Sequence, residues 1–163
     1  MEIRPMKRGE AEAVGRIYAA SWKYAYRGIV PQAYLDTLTG HRWAALLPDS
    51  PYRSYVLLDG GDLVGTSSLT PARDESMTGR GEIISLYLLP EQFGRGYGKA
   101  LMDFDVRTLG EAGFGEIYLW ALEGNERARA FYERYGFRHD GGTKVCEIGG
   151  APLTEVRYRY PPE

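Results

Sequence analysis

Cysteine is nearly absent. Cys146 stands alone, so there is no disulfide framework and no thiolate metal site; its thiol, in a strand-like segment, reads as a small buried hydrophobe. Long apolar runs are missing too. Nothing approaches the roughly 20 residues of a membrane span, and the opening MEIRPMKRGE lacks the apolar centre of a secretory signal. Charge of one sign is not in excess either. The net charge is −2 and the pI about 5.8, which leaves no electrostatic footprint for nucleic acid. Repeats and low-complexity tracts are lacking. These absences leave a soluble globular chain with no nucleic-acid, membrane or metal partner, expected in the cytoplasm. At 163 residues it is expected to form one domain, residues 1–163, with a substantial core.

What is present centres on residues 82–99, EIISLYLLPEQFGRGYGK, which read as a strand, a glycine-punctuated turn and the start of a helix. Gly94, Gly96 and Gly98 alternate with Arg95 and Tyr97, and Lys99 follows. Glycine admits φ > 0 and lets a ligand come closer than a Cβ would permit. A helix over residues 100–113 leaves its first N–H groups unsatisfied and aimed back at the turn. With the positive end of the helix dipole, that makes a site for phosphate or pyrophosphate. Arg95 and Lys99 carry charge of the right sign.

Two familiar phosphate loops do not fit. A P-loop needs Gly, four residues, then Gly-Lys-Ser/Thr; here Phe93 stands at the first glycine and Ala100 replaces the hydroxyl. A dinucleotide fingerprint needs GxGxxG, and Gly98 comes one residue early. Taken alone, the glycines are equally those of an ordinary tight turn.

The rest of the chain alternates strands and helices. Residues 2–5 read as a strand, 9–22 as a helix with apolar positions at helical spacing, and 32–37 as a short helix, with another turn of helix within 41–47. Strands at 52–58 and 63–70 flank Asp59-Gly60-Gly61-Asp62, a strong hairpin signal. A polar loop, 71–81, leads into the central strand, 83–89. After the glycine turn come a helix, a strand at 116–122, a helix at 125–135 stopped by Gly136, and a hairpin of 144–148 with 153–160.

The glycine stretch resembles the acyl-CoA-binding motif of the GNAT superfamily of N-acetyltransferases, Q/R-x-x-G-x-G/A after a strand. Aligned on Gly96 and Gly98, the Gln/Arg slot falls on Phe93, with Gln92 one residue early. A second segment, LWALEGNERARAFYERYGF at 119–137, is similar to the family's strand, Asn-led helix and Tyr-x-x-x-Gly-Phe ending. Two motifs in order are far more specific than one. The resemblance implies an α/β fold: a mixed, mostly antiparallel sheet splayed between two parallel central strands and flanked by helices. It implies acetyl-CoA as co-substrate, bound in the opening between 83–89 and 116–122. The backbone at Leu86, Tyr87 and Leu88 would meet the pantetheine arm, with an N–H polarising the thioester carbonyl. The N–H groups from Arg95 to Lys99 would meet the phosphates. Dimers are common in the family, and the C-terminal hairpin offers a contact for one.

Asn125, Ala128 and Tyr132 are spaced i, i+3, i+7 and so share a helix face. By resemblance, Asn125 contacts CoA, Ala128 leaves room for the arm and Tyr132 protonates the leaving thiolate. A phenol of pKa ~10 gives a proton to a thiolate of pKa ~8.5 uphill by about 2 kcal/mol, so an oxyanion or a desolvated thiolate must narrow the gap. A lone Tyr with a satisfied hydroxyl in the core is the structural alternative. An alkyl amine of pKa ~10.4 costs about 4.6 kcal/mol to deprotonate at pH 7, so a base or water chain is required. Glu82 opens the central strand where several GNAT enzymes carry a catalytic Glu, and a solvated strand-end charge is its equal alternative. Ribosomal-protein N-terminal acetyltransferases carry a Glu five residues before the motif Asn; here Trp120 stands there, which points away from that subclass. His41 and His139 read as surface residues.

Residues 21–31, SWKYAYRGIVP, resemble a GNAT subgroup with a Ser-Trp-x-x-Ala-Tyr-x-Gly-Ile-x-Pro segment, whose helix pair walls the acceptor site. Trp22 and Tyr26, with Tyr24 and Tyr34, would hold a cationic amine by cation–π attraction or simply close the core. The expected function is therefore acetyl transfer from acetyl-CoA to a primary amine of a small molecule by direct attack. A silent acyl-CoA-binding sensor of the same fold is the second hypothesis.

Overall fold

The computed structural model describes residues 1–161. In chain order they form β1 (Glu2–Pro5), α1 (Ala11–Ala25), α2 (Gln32–Leu35), α3 (Gly40–Ala44), β2 (Arg53–Asp59), β3 (Asp62–Pro71) and β4 (Gly81–Leu88). Then come α4 (Tyr97–Glu111), β5 (Ile117–Leu122), α5 (Glu126–Tyr135), β6 (Arg138–Ile148) and β7 (Ala151–Tyr160). The strands make one sheet in the order β1-β2-β3-β4-β5-β7-β6. Every neighbouring pair is antiparallel except β4 with β5.

Alternation along the strands divides the core between the two faces of the sheet. In β2, Tyr55 and Leu57 pack toward α4, with Met102 and Leu101, while Val56 packs toward α1, with Val14 and Tyr18. The β2–β3 turn is set by Gly60 and Gly61, at φ +60° and +88°, the pair of left-handed residues that a two-residue hairpin requires. Close contact of α1 with α3 depends on glycine. A Cβ on Gly15 would lie 2.3 Å from the Gly40 carbonyl oxygen, so these two backbones touch where any side chain would force them apart.

The feature that creates the site lies in β4. Ser85 stands opposite Ser68 and Ile83 opposite Leu69, so Ile84 is an extra residue in the β3–β4 ladder. Such a bulge bends the strand that carries it. The parallel ladder between β4 and β5 stops at this level, being confined to Gly81↔Ile117, Glu82↔Tyr118 and Ile83↔Leu119. Beyond it the two strands part.

Most boundaries shift by a residue or two from the sequence expectation, and some shift further. Helix α4 begins at Tyr97, three residues early, because the Tyr97 ring is buried with Leu57, Val64 and Leu101 and anchors the first turn. Helix α1 runs on to Ala25. Strand β6 begins at Arg138 rather than 144: its polar first half pairs with β7 through an irregular register between His139 and Thr143.

Candidate active site

Where β4 and β5 separate, a cleft of about 1410 Å³ opens. Residues 84–88 form one wall and 120–122 the other, with α1, the glycine turn and α5 around its mouth.

The glycine turn contributes backbone. Gly94 and Gly96 both have positive φ, +80° and +82°, and Gly96 is the N-cap of α4 with no side-chain cap. The first intrahelical bond runs from the Ala100 amide to the Gly96 carbonyl, at 3.1 Å. The amides of Tyr97, Gly98 and Lys99 therefore have no helical acceptor and form the positive end of the helix dipole. A Cβ on Gly98 would meet the Phe131 ring at 3.3 Å, which shows how closely α4 approaches α5. The side chains here are turned to other tasks. Tyr97 donates to the Asp59 carboxylate, Lys99 pairs with Asp103 at 2.8 Å, and Arg95 is not among the residues lining the cleft.

Phe93 fills the slot where the GNAT motif has Gln or Arg, and a cation reaches it from elsewhere. The Arg127 guanidinium lies 3.8 Å from the Phe93 ring centroid, and Tyr24 meets the same ring edge-on at 5.3 Å. A cation–π stack of this kind joins α1, the turn and α5 at the mouth of the cleft. In sequence Arg127 reads only as a charge on a solvated helix face.

On α5, the Asn125 side chain accepts from the Ala128 amide at 3.3 Å, an N-cap that fixes how this helix begins. Ala128 and Tyr132 follow on the cleft side. The Tyr132 ring is held edge-on against Phe131 and Phe137, and its hydroxyl has no protein hydrogen bond among the described residues. Burial above all, then Tyr26 and Asp105, pushes its pKa well above the usual phenol value. On β4, Leu86, Tyr87 and Leu88 line the gap. The Leu88 carbonyl is already taken by Ser21 Oγ at 2.8 Å, and the Tyr87 hydroxyl accepts from Trp22 Nε1 at 3.2 Å.

The opposite wall is aromatic. Trp22 and Tyr26 meet edge-to-face at 4.7 Å. Burial pushes the Tyr26 hydroxyl up to about 12, against the pull of a hydrogen bond with Tyr87. Trp120 and Glu155 lie in the same lining, and Glu155 gave no signal in sequence because it reads as an ordinary strand charge. Tyr34 is not part of this wall: it packs against the β6–β7 turn, where a Cβ on Gly149 would meet it at 2.6 Å. His41, His139 and Cys146 also lie outside the lining.

Glu82 is neither solvent-exposed nor open to the cleft. Its side chain is 1% exposed. Arg73 Nη2 donates to one oxygen at 2.6 Å, and Arg73 Nε and the Tyr118 hydroxyl donate to the other at 3.1 and 2.8 Å. Burial raises its pKa, but the Arg73 and Tyr118 hydrogen bonds outweigh burial and hold it below the usual carboxylate value. A carboxylate so engaged is a poor proton acceptor, and this arrangement argues against Glu82 as the base. Among the described residues no His, Cys, Asp and Glu cluster could hold a metal ion, and no helix is long and apolar enough to cross a membrane.

The acetyltransferase (GNAT) family profile matches residues 14–137. The chain belongs to this family. Among curated GNAT relatives, it is 26% identical to the uncharacterized N-acetyltransferase YuaI of Bacillus subtilis, over 98% of this chain and 92% of YuaI. It is 24% identical to the spermidine N(1)-acetyltransferase of Thermoplasma acidophilum, over 90% of this chain and 96% of that protein. The PaiA N-acetyltransferase of Thermoplasma acidophilum, solved in complex with coenzyme A, superposes with a TM-score of 0.72 at 21% identity, covering 98% of each chain. The sheet that parts at β4 and β5, with its flanking helices, is the GNAT fold.

Proposed function

We propose that this chain transfers an acetyl group from acetyl-CoA to a primary amine of a small molecule, without a covalent enzyme intermediate. The observation that carries this reading is the parting of β4 and β5 beyond Ile83 and Leu119, with the unpartnered Tyr132 hydroxyl beside the gap. An extended pantetheine arm fits a gap between strand edges that have no ladder partner. The free amides of Tyr97, Gly98 and Lys99 suit the pyrophosphate, with Phe93, Gly94, Gly96 and the Asn125 end of α5 shaping the same channel.

The neutral amine attacks the thioester carbon, and the oxyanion is met by a backbone N–H of residues 86–88. Collapse breaks the C–S bond. The thiolate takes the Tyr132 proton, the nitrogen loses its own to water in the cleft, and that water returns a proton to the Tyr132 phenolate. Tyr132 stays protonated at any ordinary pH because burial raises it. The same burial disfavours the thiolate, so the proton transfer is downhill only where the cleft destabilises the thiolate more than the phenolate. Trp22 and Tyr26 form the acceptor wall. No carboxylate with free oxygens stands at Glu82, so water is assigned to carry the amine proton.

The test is acetyl-CoA-dependent thiol release across polyamines, amino acids, aminoglycosides and short peptides, against a no-acceptor background. Release that requires an amine is expected. Release with none of them, together with no binding in an acetyl-CoA titration, would overturn the reading.

A further inference from the structure

Lys144 of β6 places its ammonium between an indole and a carboxylate. Its Nζ is 4.4 Å from the Trp120 ring centroid and 3.5 Å from a Glu155 carboxylate oxygen. Strand register brings the three together. Glu155 of β7 stands directly opposite Leu122 of β5 on one side and Lys144 on the other. Trp120, two residues before Leu122, therefore projects from the same sheet face. Trp120 and Glu155 both line the cleft. After burial, which dominates, the charge of Glu155 is among the influences that keep the neighbouring Tyr26 hydroxyl protonated.

The other cation at this indole is committed. Arg157, 5.5 Å from the ring, is bound to Asp140 at 2.7 Å and Asp74 at 3.1 Å. Lys144 is not: it is 46% exposed, on a flexible stem, and its contact with Glu155 is longer than a hydrogen bond. Glu155 has no hydrogen-bond donor among the described residues beyond this ion pair. A carboxylate at the wall of a cleft, beside an indole face, with only a displaceable ammonium for company, is built for a cation.

We propose that Trp120 and Glu155 form a cation subsite at the acceptor end of the cleft. Lys144 occupies it when no acceptor is present, and the acceptor is an aliphatic amine whose second, protonated amino group displaces Lys144. The subsite cannot serve the reacting nitrogen. An opposite charge within a few ångströms favours the protonated form of an amine, whereas attack on a thioester requires a free lone pair. The ammonium held by Glu155 is therefore the spectator, and the other amino group is the nucleophile. This inference rests on the acetyltransferase reading of the cleft but is tested without turnover.

The experiment is calorimetric titration of α,ω-diaminoalkanes, from diaminopropane to diaminooctane, and the uncharged α,ω-alkanediols of matching length into the protein, with and without CoA. The best diamine should bind about tenfold tighter than its diol, the scale of an ion pair reinforced by an aromatic face. Glu155→Gln should erase that difference while leaving diol and CoA affinity unchanged. Lys144→Met should tighten diamine binding, a gain that misfolding cannot mimic. Equal affinity for diamines and diols at every length, or a difference that survives Glu155→Gln, would overturn the subsite. A protein that binds diamines this way yet releases no thiol would overturn the transferase reading alone.

Discussion

On the side of the cleft assigned to acetyl-CoA the chain offers backbone: two left-handed glycines, three unpaired amides at the start of α4, and a strand edge freed by a bulge. On the acceptor side it offers side chains, Trp22 and Tyr26 from α1 and its end, Trp120 from β5 and Glu155 from β7. A ligand common to a family can be recognised by groups every residue carries, so the sequence there is constrained mainly by conformation. An acceptor that differs between relatives must be recognised by what the side chains add. The two halves should therefore respond differently to substitution.

The largest effect is expected where a side chain on the cofactor side moves a proton rather than binds. Tyr132→Phe should lower kcat by about a hundredfold or more, in the range of general acid catalysis, with KM for acetyl-CoA little changed. Steady-state kinetics at saturating acceptor would check this, and undiminished kcat would remove the acid role.

A smaller effect separates backbone from side chain within the turn itself. Gly96→Val puts a β-branched residue at φ +82°, a conformation that costs an L-residue roughly 1–2 kcal/mol, and sets a Cβ where the ligand approaches. CoA affinity should fall by about tenfold or more. Lys99→Ala, which removes an exposed charge already paired with Asp103, should change it only a few-fold, since such pairs are worth about 0–1 kcal/mol. If Lys99→Ala proved the more damaging, the phosphates would be held by charge and not by amides, and the contrast between the halves would fail.

The same division explains what the sequence could disclose. The glycines, the Asn125 cap and the Asp-Gly-Gly-Asp turn act through local backbone geometry, so their spacing alone located the turn, the second helix and the hairpin. Features set by distant pairing were not readable. The bulge at Ile84 exists only relative to β3, and nothing in EIISLYL announces it. Tyr97 looked like a turn residue because its partners, Leu57 and Val64, lie far away in the chain. Arg127 and Glu155 carry no local sequence signal, because their surroundings exist only where α5 meets Phe93 and β7 meets β5. The same logic misled in the other direction for Tyr34, grouped with the wall by composition alone, and for Glu82, whose partner Arg73 lies in the preceding loop.

The smallest effect on turnover should come from a carboxylate that the cleft does not use. Glu82 and Asp105 are both buried, but Glu82 is surrounded by donors while Asp105, on α4, accepts one hydrogen bond, from Ser67 Oγ at 2.7 Å. Its second oxygen has no partner among the described residues. Burial pushes the Asp105 carboxyl up to about 8, only partly offset by Ser67, whereas an unfolded Asp titrates near ~3.9. Between those values the folded chain holds a proton that the unfolded chain releases. Stability from this group is thus complete below pH ~4 and falls by about 1.4 kcal/mol per unit as pH rises toward 8. Asp105→Asn keeps an acceptor for Ser67 and cannot ionise. Its melting temperature should exceed that of the unsubstituted protein by a margin that widens from pH 5 to 8, with kcat unchanged. A margin independent of pH would mean that Asp105 does not change protonation between the folded and unfolded chains in this window, and that its buried oxygen is compensated in a way that burial and one serine do not supply.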